Sequence, residues 1–369
     1  MKKLFAFIAI AITLVGCSSS DGGNNNTANY DKTAMLTNWA DNLIIPAYTA
    51  YDTATGTLKT STDTFTANPN ATNLEALQAA WLDAFKAYQH VALFDIGKAT
   101  DLNLLESANT YPTDAAGIES NITSGSYNLE LQAQFVRQGF PALDYLLFGL
   151  GDTNDETLAF YTTNANAVAY KQYLTAVATR LKTTSAAIVA DWNGGYRDTF
   201  VNNSNVVTGS LNQSANNFVK NLEKDIRAPK VGIPAGLFSN GVLYPEKVEA
   251  YYNDNAGKAL LNEAIAASKN FFNGTSFDGS ASGASLKGYL DAVGAKVSGQ
   301  NLSDIINAQY TTVNTTNAAL SNSLSQQVTN DNTKMVASYD QMQQLLVYLK
   351  VDMFSALSLT IDYVDGDGD

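Results

Sequence analysis

Residues 72–97 read TNLEALQAAWLDAFKAYQHVALFDIG, and the spacing of their large apolar side chains sets the fold class. Leu74, Leu77, Trp81, Phe85 and Tyr88 step by three, four, four and three. That is the beat of one face of an α-helix, not the alternation of a strand. Thr72 or Asn73 is available as an N-cap, and the helix is expected to run to about Ile96, before Gly97. Working outward, Tyr170, Leu174, Val177, Leu181 and Ile188 form a second such face, stopping near Trp192 at Gly194 and Gly195. Met335, Tyr339, Met342, Leu346, Leu349 and Met353 form a third. Further helices are expected over 31–65, 128–148, 207–227, 256–272, 284–294 and 301–325. Strand-like alternation is scarce, and glycine and proline gather in loops such as 228–245 and 274–285. The expected fold is all-α, built as up-and-down helical bundles. A foldable length of about 340 residues exceeds the size at which one core stops growing, which argues for two domains.

The N-terminus carries a different signal. Met1, Lys2 and Lys3 precede an apolar run over 4–15, then Gly16 and Cys17, the order of a cleavable export signal. The run is shorter than the ~20 residues a spanning helix needs. The string Leu14-Val15-Gly16-Cys17 resembles the lipobox of bacterial lipoproteins, which implies lipid on Cys17 and a membrane as partner. Cys17 is the sole cysteine of 369 residues, so no disulfide competes for it. Residues 18–29, SSSDGGNNNTAN, are polar and aperiodic and read as a flexible tether. The expected organisation is a signal peptide over 1–16, a lipidated tether over 17–30, one helical bundle over 31–206 and a second over 207–369. The location read from this is the cell envelope, at the outer membrane, facing the periplasm or the surface.

Charge excludes one class of partner. With 22 Lys+Arg against 35 Asp+Glu and a net charge of -13, the chain offers no basic surface to neutralise phosphates, and nucleic acid is not an expected ligand.

Residues 134–149, QFVRQGFPALDYLLFG, resemble the imelysin-like proteins, also classed as M75 peptidases. Members carry a G-x-H-x-x-E signature followed by an aromatic and aliphatic run. Here it stands as Gly139-Phe140-Pro141-Ala142-Leu143-Asp144, then Tyr145-Leu146-Leu147-Phe148. Residues 81–97, residues 212–236 with their closing KVGIPAG, and the C-terminal LKVDMFSALSLTIDYVDGDGD support the resemblance in the same order. It implies two helical bundles arising by duplication, the signature helix beside a groove between them, and an exported or lipid-anchored protein linked to iron acquisition. It also implies that Glu249, in the stretch Pro245-Glu246-Lys247-Val248-Glu249-Ala250, belongs to the family pattern.

The signature departs at both chemically capable positions, with Pro141 for histidine and Asp144 for glutamate. His and Glu three apart would share a helix face and could ligate one metal or pass one proton; proline has neither a side-chain lone pair nor a backbone N–H. A kink or helix restart near Phe140 and Pro141 is expected, with Gly139 permitting it. Arg137 precedes Asp144 by seven residues, and on one helix the two would flank a small polar or anionic ligand. The competing reading makes Arg137 and Asp144 structural ion-pair residues, with Tyr145, Leu146 and Phe148 in the core.

The sole histidine, His90, excludes an H-E-x-x-H zinc peptidase, which needs two. No G-x-S-x-G elbow is present. No catalytic residue and no metal ligand is assigned. Iron, through the family, and calcium, through the acidic tail DGDGD at 365–369, are the cofactors to weigh; that tail lacks the position-12 glutamate of an EF-hand and reads better as a frayed end. The sequence therefore points to a lipid-anchored, non-enzymatic binding or accessory protein of the envelope. Its groove would be lined by Arg137, Gly139, Pro141, Asp144, Tyr145 and Glu249, serving iron or another small nutrient alongside envelope transport partners. The alternatives are a peptidase of M75 type acting through Asp144 and Glu249, and a surface adhesin or polymer-binding protein.

Overall fold

The computed structural model describes residues 30–203 and 209–363. The expected signal peptide, Cys17, the expected tether up to residue 29 and the acidic tail at 365–369 lie outside the described residues.

Eight helical elements form the bundles of the described residues. Helix α1 spans residues 32–67, as Lys32–Asn38, a π-helical turn Trp39–Ile44, and Ile45–Ala67. Helices α2 (Ala71–Gln89), α3 (Gly139–Phe148) and α4 (Ala167–Asp191) pack with the C-terminal part of α1 as a first four-helix bundle. The second bundle comprises α5 (residues 210–232, Ser210–Lys220 continuing as the π-helical Asn221–Gly232), α6 (Gly257–Asn273), α7 (Leu302–Ala318) and α8 (residues 332–357). The described strands are two residues each, Lys296–Val297 paired antiparallel with Gln300–Asn301. The all-α expectation and its two bundles hold.

The periodic residues of α2 are the core of the first bundle. Leu74, Leu77, Trp81, Phe85 and Tyr88 are all buried. Phe140 of α3 stacks on Phe85 with ring centroids 4.5 Å apart, and the Trp81 indole donates to the Phe140 carbonyl at 3.1 Å. In the second bundle Phe272 packs by Tyr310, whose hydroxyl shares a 2.7 Å hydrogen bond with Ser268.

The bundles are not separate bodies joined by a linker. The first turns of α1 pack on the second bundle: Trp39 stacks on Phe271 at 4.4 Å, and Asn38 Nδ2 donates to the Gly274 carbonyl at 3.0 Å. Helix α2 also lies against α6, and the buried apolar residues form one continuous cluster across both halves.

Several boundaries differ from the sequence expectation, each for a local reason. The N-cap of α2 is Asn70, whose side chain accepts from Asn73 N at 3.0 Å, not Thr72 or Asn73. The same helix stops at Gln89 instead of about Ile96; Val91 to Ile96 is buried as irregular chain, with Phe94 against Phe271, so tertiary packing takes over its apolar residues. The expected helix over 128–148 is a 3-10 segment, Gln132–Arg137, followed by α3. Gln138 between them is extended, at φ -140 and ψ -172. The expected 301–325 helix ends at Ala318, and Ser323 caps a new one, Leu324–Asn330, by accepting from Gln326 N. Short helices within residues 98–124, and Asn154–Thr162, were beneath the reach of periodicity.

Phe140→Ala removes the ring that links α2 to α3. It is expected to lower the unfolding free energy by about 3–5 kcal/mol, measured by urea titration followed by far-UV circular dichroism.

Candidate functional site

Gly139 opens α3 at φ 73, a conformation that favours glycine. A Cβ there would stand 2.2 Å from the Ala108 carbonyl oxygen, so this position serves the backbone and not a ligand. Pro141 follows in the first turn, where helix N–H groups have no intrahelical acceptor, and its missing donor therefore leaves α3 intact. The restart expected near Phe140 is this helix beginning.

Asp144 comes one turn later and is buried, at 2% exposure. Its two oxygens accept from the backbone N–H groups of Tyr252 (2.9 Å) and Asn253 (2.8 Å). A carboxylate of the first bundle thereby fixes a loop of the second. Burial is the dominant influence and pushes this carboxyl up to about 7; the two N–H groups pull it down, and the Glu249 charge adds a smaller upward push. A hollow of about 220 Å³ opens beside it, bounded by Pro141, Asp144, Tyr111, Glu246, Tyr251 and Tyr252.

Glu249, 1% exposed, sits at the seam between the bundles. It accepts from Asn109 Nδ2 at 2.8 Å and Gln89 Nε2 at 3.3 Å, and it forms an ion pair with Lys230. Lys230 also donates to Gln89 Oε1 at 3.1 Å. Burial holds the Lys230 ammonium below its ordinary value, while Glu249 raises it in opposition. Beyond this network lies a second hollow, about 300 Å³, whose walls include Asn109, Tyr111, Lys220 and Asp225. Burial pushes Asp225 up to about 6. Tyr111 borders both hollows, and its hydroxyl and the Asn109 Oδ1 are buried without a hydrogen-bond partner. Unsatisfied buried polar atoms cost about 1–3 kcal/mol each and mark where a polar molecule would be accommodated.

Two expectations need correction. Arg137 and Asp144 do not share a helix face, because extended Gln138 separates the 3-10 segment from α3. Arg137 Nε instead donates to Asp114 at 2.8 Å, and the residue borders neither hollow. Asp144 is likewise not an ion-pair residue, since backbone N–H groups hold it. Tyr145 is half-buried; its hydroxyl donates to Glu119 at 2.8 Å, and its ring lies 5.3 Å from that of Tyr252. The structure thus gathers Pro141, Asp144 and Glu249 at the seam, sets Tyr145 beside it and leaves Arg137 outside. His90 bonds Glu263 across the bundles at 2.9 Å and holds that carboxyl below its ordinary range. Among the described residues no group of three or more His, Cys, Asp or Glu side chains is placed to hold a metal ion.

Sequence reasoning missed Gln89, Asn109, Tyr111, Asp225 and Lys230. Lys230 is the one with a signal: it opens the KVGIPAG stretch, where a lysine stands among residues otherwise suited to burial.

The family model for imelysin, peptidase M75, matches residues 44–349. A protein named iron-regulated protein A, from Synechococcus elongatus, is 24% identical over 265 residues, 68% of each chain. Two crystal structures share the fold. One, of an iron-regulated protein A precursor from Parabacteroides distasonis, superposes with a TM-score of 0.72 at 19% identity, over 88% of this chain and 94% of that one. The other, of an imelysin-like protein from Psychrobacter arcticum, gives 0.69 at 18%, over 90% and 96%.

Two measurements check the seam. Glu249→Gln strands the Lys230 ammonium and is expected to cost about 3–5 kcal/mol of stability, much of it recovered in Lys230→Met/Glu249→Gln. For Asp144, the folded chain keeps a proton between pH 3.8 and about 7 that the unfolded chain has lost. Its contribution is therefore fully present below pH 3.8 and is lost as pH rises to about 7, by up to about 4 kcal/mol. Urea titrations at pH 4.5 and 7.5 should show this decline in the wild type and a smaller one in Asp144→Asn.

Proposed function

The chain belongs to the imelysin (peptidase M75) family, and from that premise we propose that it is a lipid-anchored binding protein of the bacterial envelope serving iron acquisition, not an enzyme. The observation that carries this reading is the seam: two hollows share Tyr111 as a wall, with the buried Asp144 on the smaller and the half-buried Asp225 on the larger, and Tyr111 and Asn109 in those walls each carry a polar atom without a protein partner. Sites of this kind, concave and with a few convergent polar groups, are where small ligands bind. The names of its relatives connect them with iron regulation. The scarcity of clustered ligating side chains among the described residues favours iron arriving within a carrier molecule over a bare ion. Attachment through Cys17 explains how such a protein stays at the cell surface or in the periplasm, and no helix among the described residues is long and apolar enough to cross a membrane.

The rival reading, a peptidase acting through Asp144 and Glu249, draws on the raised pKa of Asp144, which suits acid–base work near neutrality. Against it, Glu249 is committed to Lys230, Asn109 and Gln89, and the family's histidine is Pro141.

Ferric citrate is expected to raise the melting temperature of the protein, and Tyr111→Phe or Asp144→Asn should abolish that rise. Unfolded casein should survive incubation with the same samples, with or without EDTA. Chelator-sensitive cleavage lost in Asp144→Asn would defeat the binding reading. In cells, Cys17→Ala is expected to move the protein from the membrane to the soluble fraction.

A further inference from the structure

Three oxygen-bearing side chains converge within the first bundle, apart from the hollows of the seam. Glu119 comes from the short helix Ala115–Ser124, Tyr145 from the middle of α3 and Tyr170 from the start of α4. The Tyr145 hydroxyl donates to Glu119 Oε1 at 2.8 Å, and the Tyr170 hydroxyl donates to Glu119 Oε2 at 2.5 Å. Tyr170 is buried, while Glu119 and Tyr145 are half-buried and carry the cluster to the surface. Tyr161 beside it is already committed, its hydroxyl donating to the Leu146 carbonyl at 2.8 Å.

The cluster lacks a cation. Among the described residues no lysine, arginine or histidine pairs with Glu119, and charges withdrawn from water are ordinarily paired or bound to a metal. Each phenol serves its carboxylate only as a donor, which leaves its oxygen lone pairs unused in that bond. The spacing suits an ion in place of the two hydrogen-bonding protons. Around a small octahedral ion at ~2.0 Å, neighbouring ligand oxygens stand ~2.8 Å apart, close to the separations found here.

Charge selects the ion. Burial, with Glu119 adding to it, holds both phenols above their ordinary value, so they keep their protons until a strong cation displaces them. A trivalent ion that sends both protons to solvent is balanced by one carboxylate and two phenolates, and the site ends neutral. A divalent ion with the same three ligands leaves a net negative charge in a partly buried place. Oxygen donors alone favour a hard ion, ferric iron is the common trivalent one in biology, and tyrosine is an established ligand of protein-bound iron. We propose that Glu119, Tyr145 and Tyr170 form a ferric-iron site, the remaining positions falling to water or to oxygens of the molecule that delivers the iron. The inference does not depend on what the seam holds.

Titration of the mature chain with ferric nitrilotriacetate, followed by visible absorption, tests it. A phenolate-to-iron charge-transfer band is expected, saturating at one iron per chain. Tyr145→Phe and Tyr170→Phe should each weaken loading about tenfold or more, at least the loss usual when even a supporting group of a metal site is removed. The double variant should show no band, and Glu119→Gln should weaken loading to a similar extent. Tyr111→Phe, a change at the seam, should keep the band, so that failure of the seam reading and failure of this one are told apart. Phenylalanine preserves the ring packing, and circular dichroism verifies that each variant is folded. The proposal is overturned if the wild type gives no saturable band, if the double variant keeps it, or if calcium or zinc at the same concentration displaces the iron.

Discussion

The buried pair of Lys230 and Glu249 is the constraint around which the two bundles are arranged. Both side chains are almost fully excluded from solvent, so each charge depends on the other and on the amides of Gln89 and Asn109. Gln89 ends α2 and Asn109 ends the short helix Leu104–Asn109, both in the first half; Lys230 and Glu249 come from the second. Separating the bundles would leave the pair together but strip it of the Gln89 and Asn109 amides that complete its hydrogen bonding. The seam is therefore specified by electrostatics as well as by the apolar contacts of α2 with α6.

The local form of α5 makes this possible. Pro229 has no N–H to give to an α-helical ladder, and the segment Asn221–Gly232 is π-helical, with Ile233 N bonding the Ala228 carbonyl five residues back. This widened stretch carries four charged residues that face inward or nearly so. Glu223 pairs with Lys350 at 2.8 Å, Arg227 bonds Tyr339 and Gln343, Asp225 borders the larger seam hollow, and Lys230 reaches Glu249. π-helical turns often mark functional sites, and here one delivers both a carboxyl and the ammonium of the seam.

Asp144 performs a related task from the other side. By capping the backbone of Tyr252 and Asn253 it fixes the chain just beyond Glu249, where Ala250 already adopts φ 56. The family's signature helix thus acts here through backbone recognition of the opposite bundle and through the wall it lends to the smaller hollow. The family's histidine position is occupied by a residue that only shapes space. With this substitution the chain lacks the histidine that the resemblance implies as the strongest ligating group of the signature.

Helical periodicity alone identified the class of the fold, the main helices and their buried faces, because a 3.6-residue repeat of large apolar side chains is a local property. The resemblance to the family, and not periodicity, brought Pro141, Asp144 and Glu249 into view. Spacing misjudged Arg137, because one extended residue, Gln138, is enough to cancel a seven-residue argument. It was silent on Gln89, Asn109, Tyr111 and Lys230, which lie up to 141 residues apart in the chain. Their chemistry exists only once distant segments meet and water is expelled, since burial is what turns an ordinary amide, phenol or ammonium into a group with one required partner. The sequence by itself determined which segments would be helices and which faces they would bury; the tertiary structure decided which polar groups were shut in together.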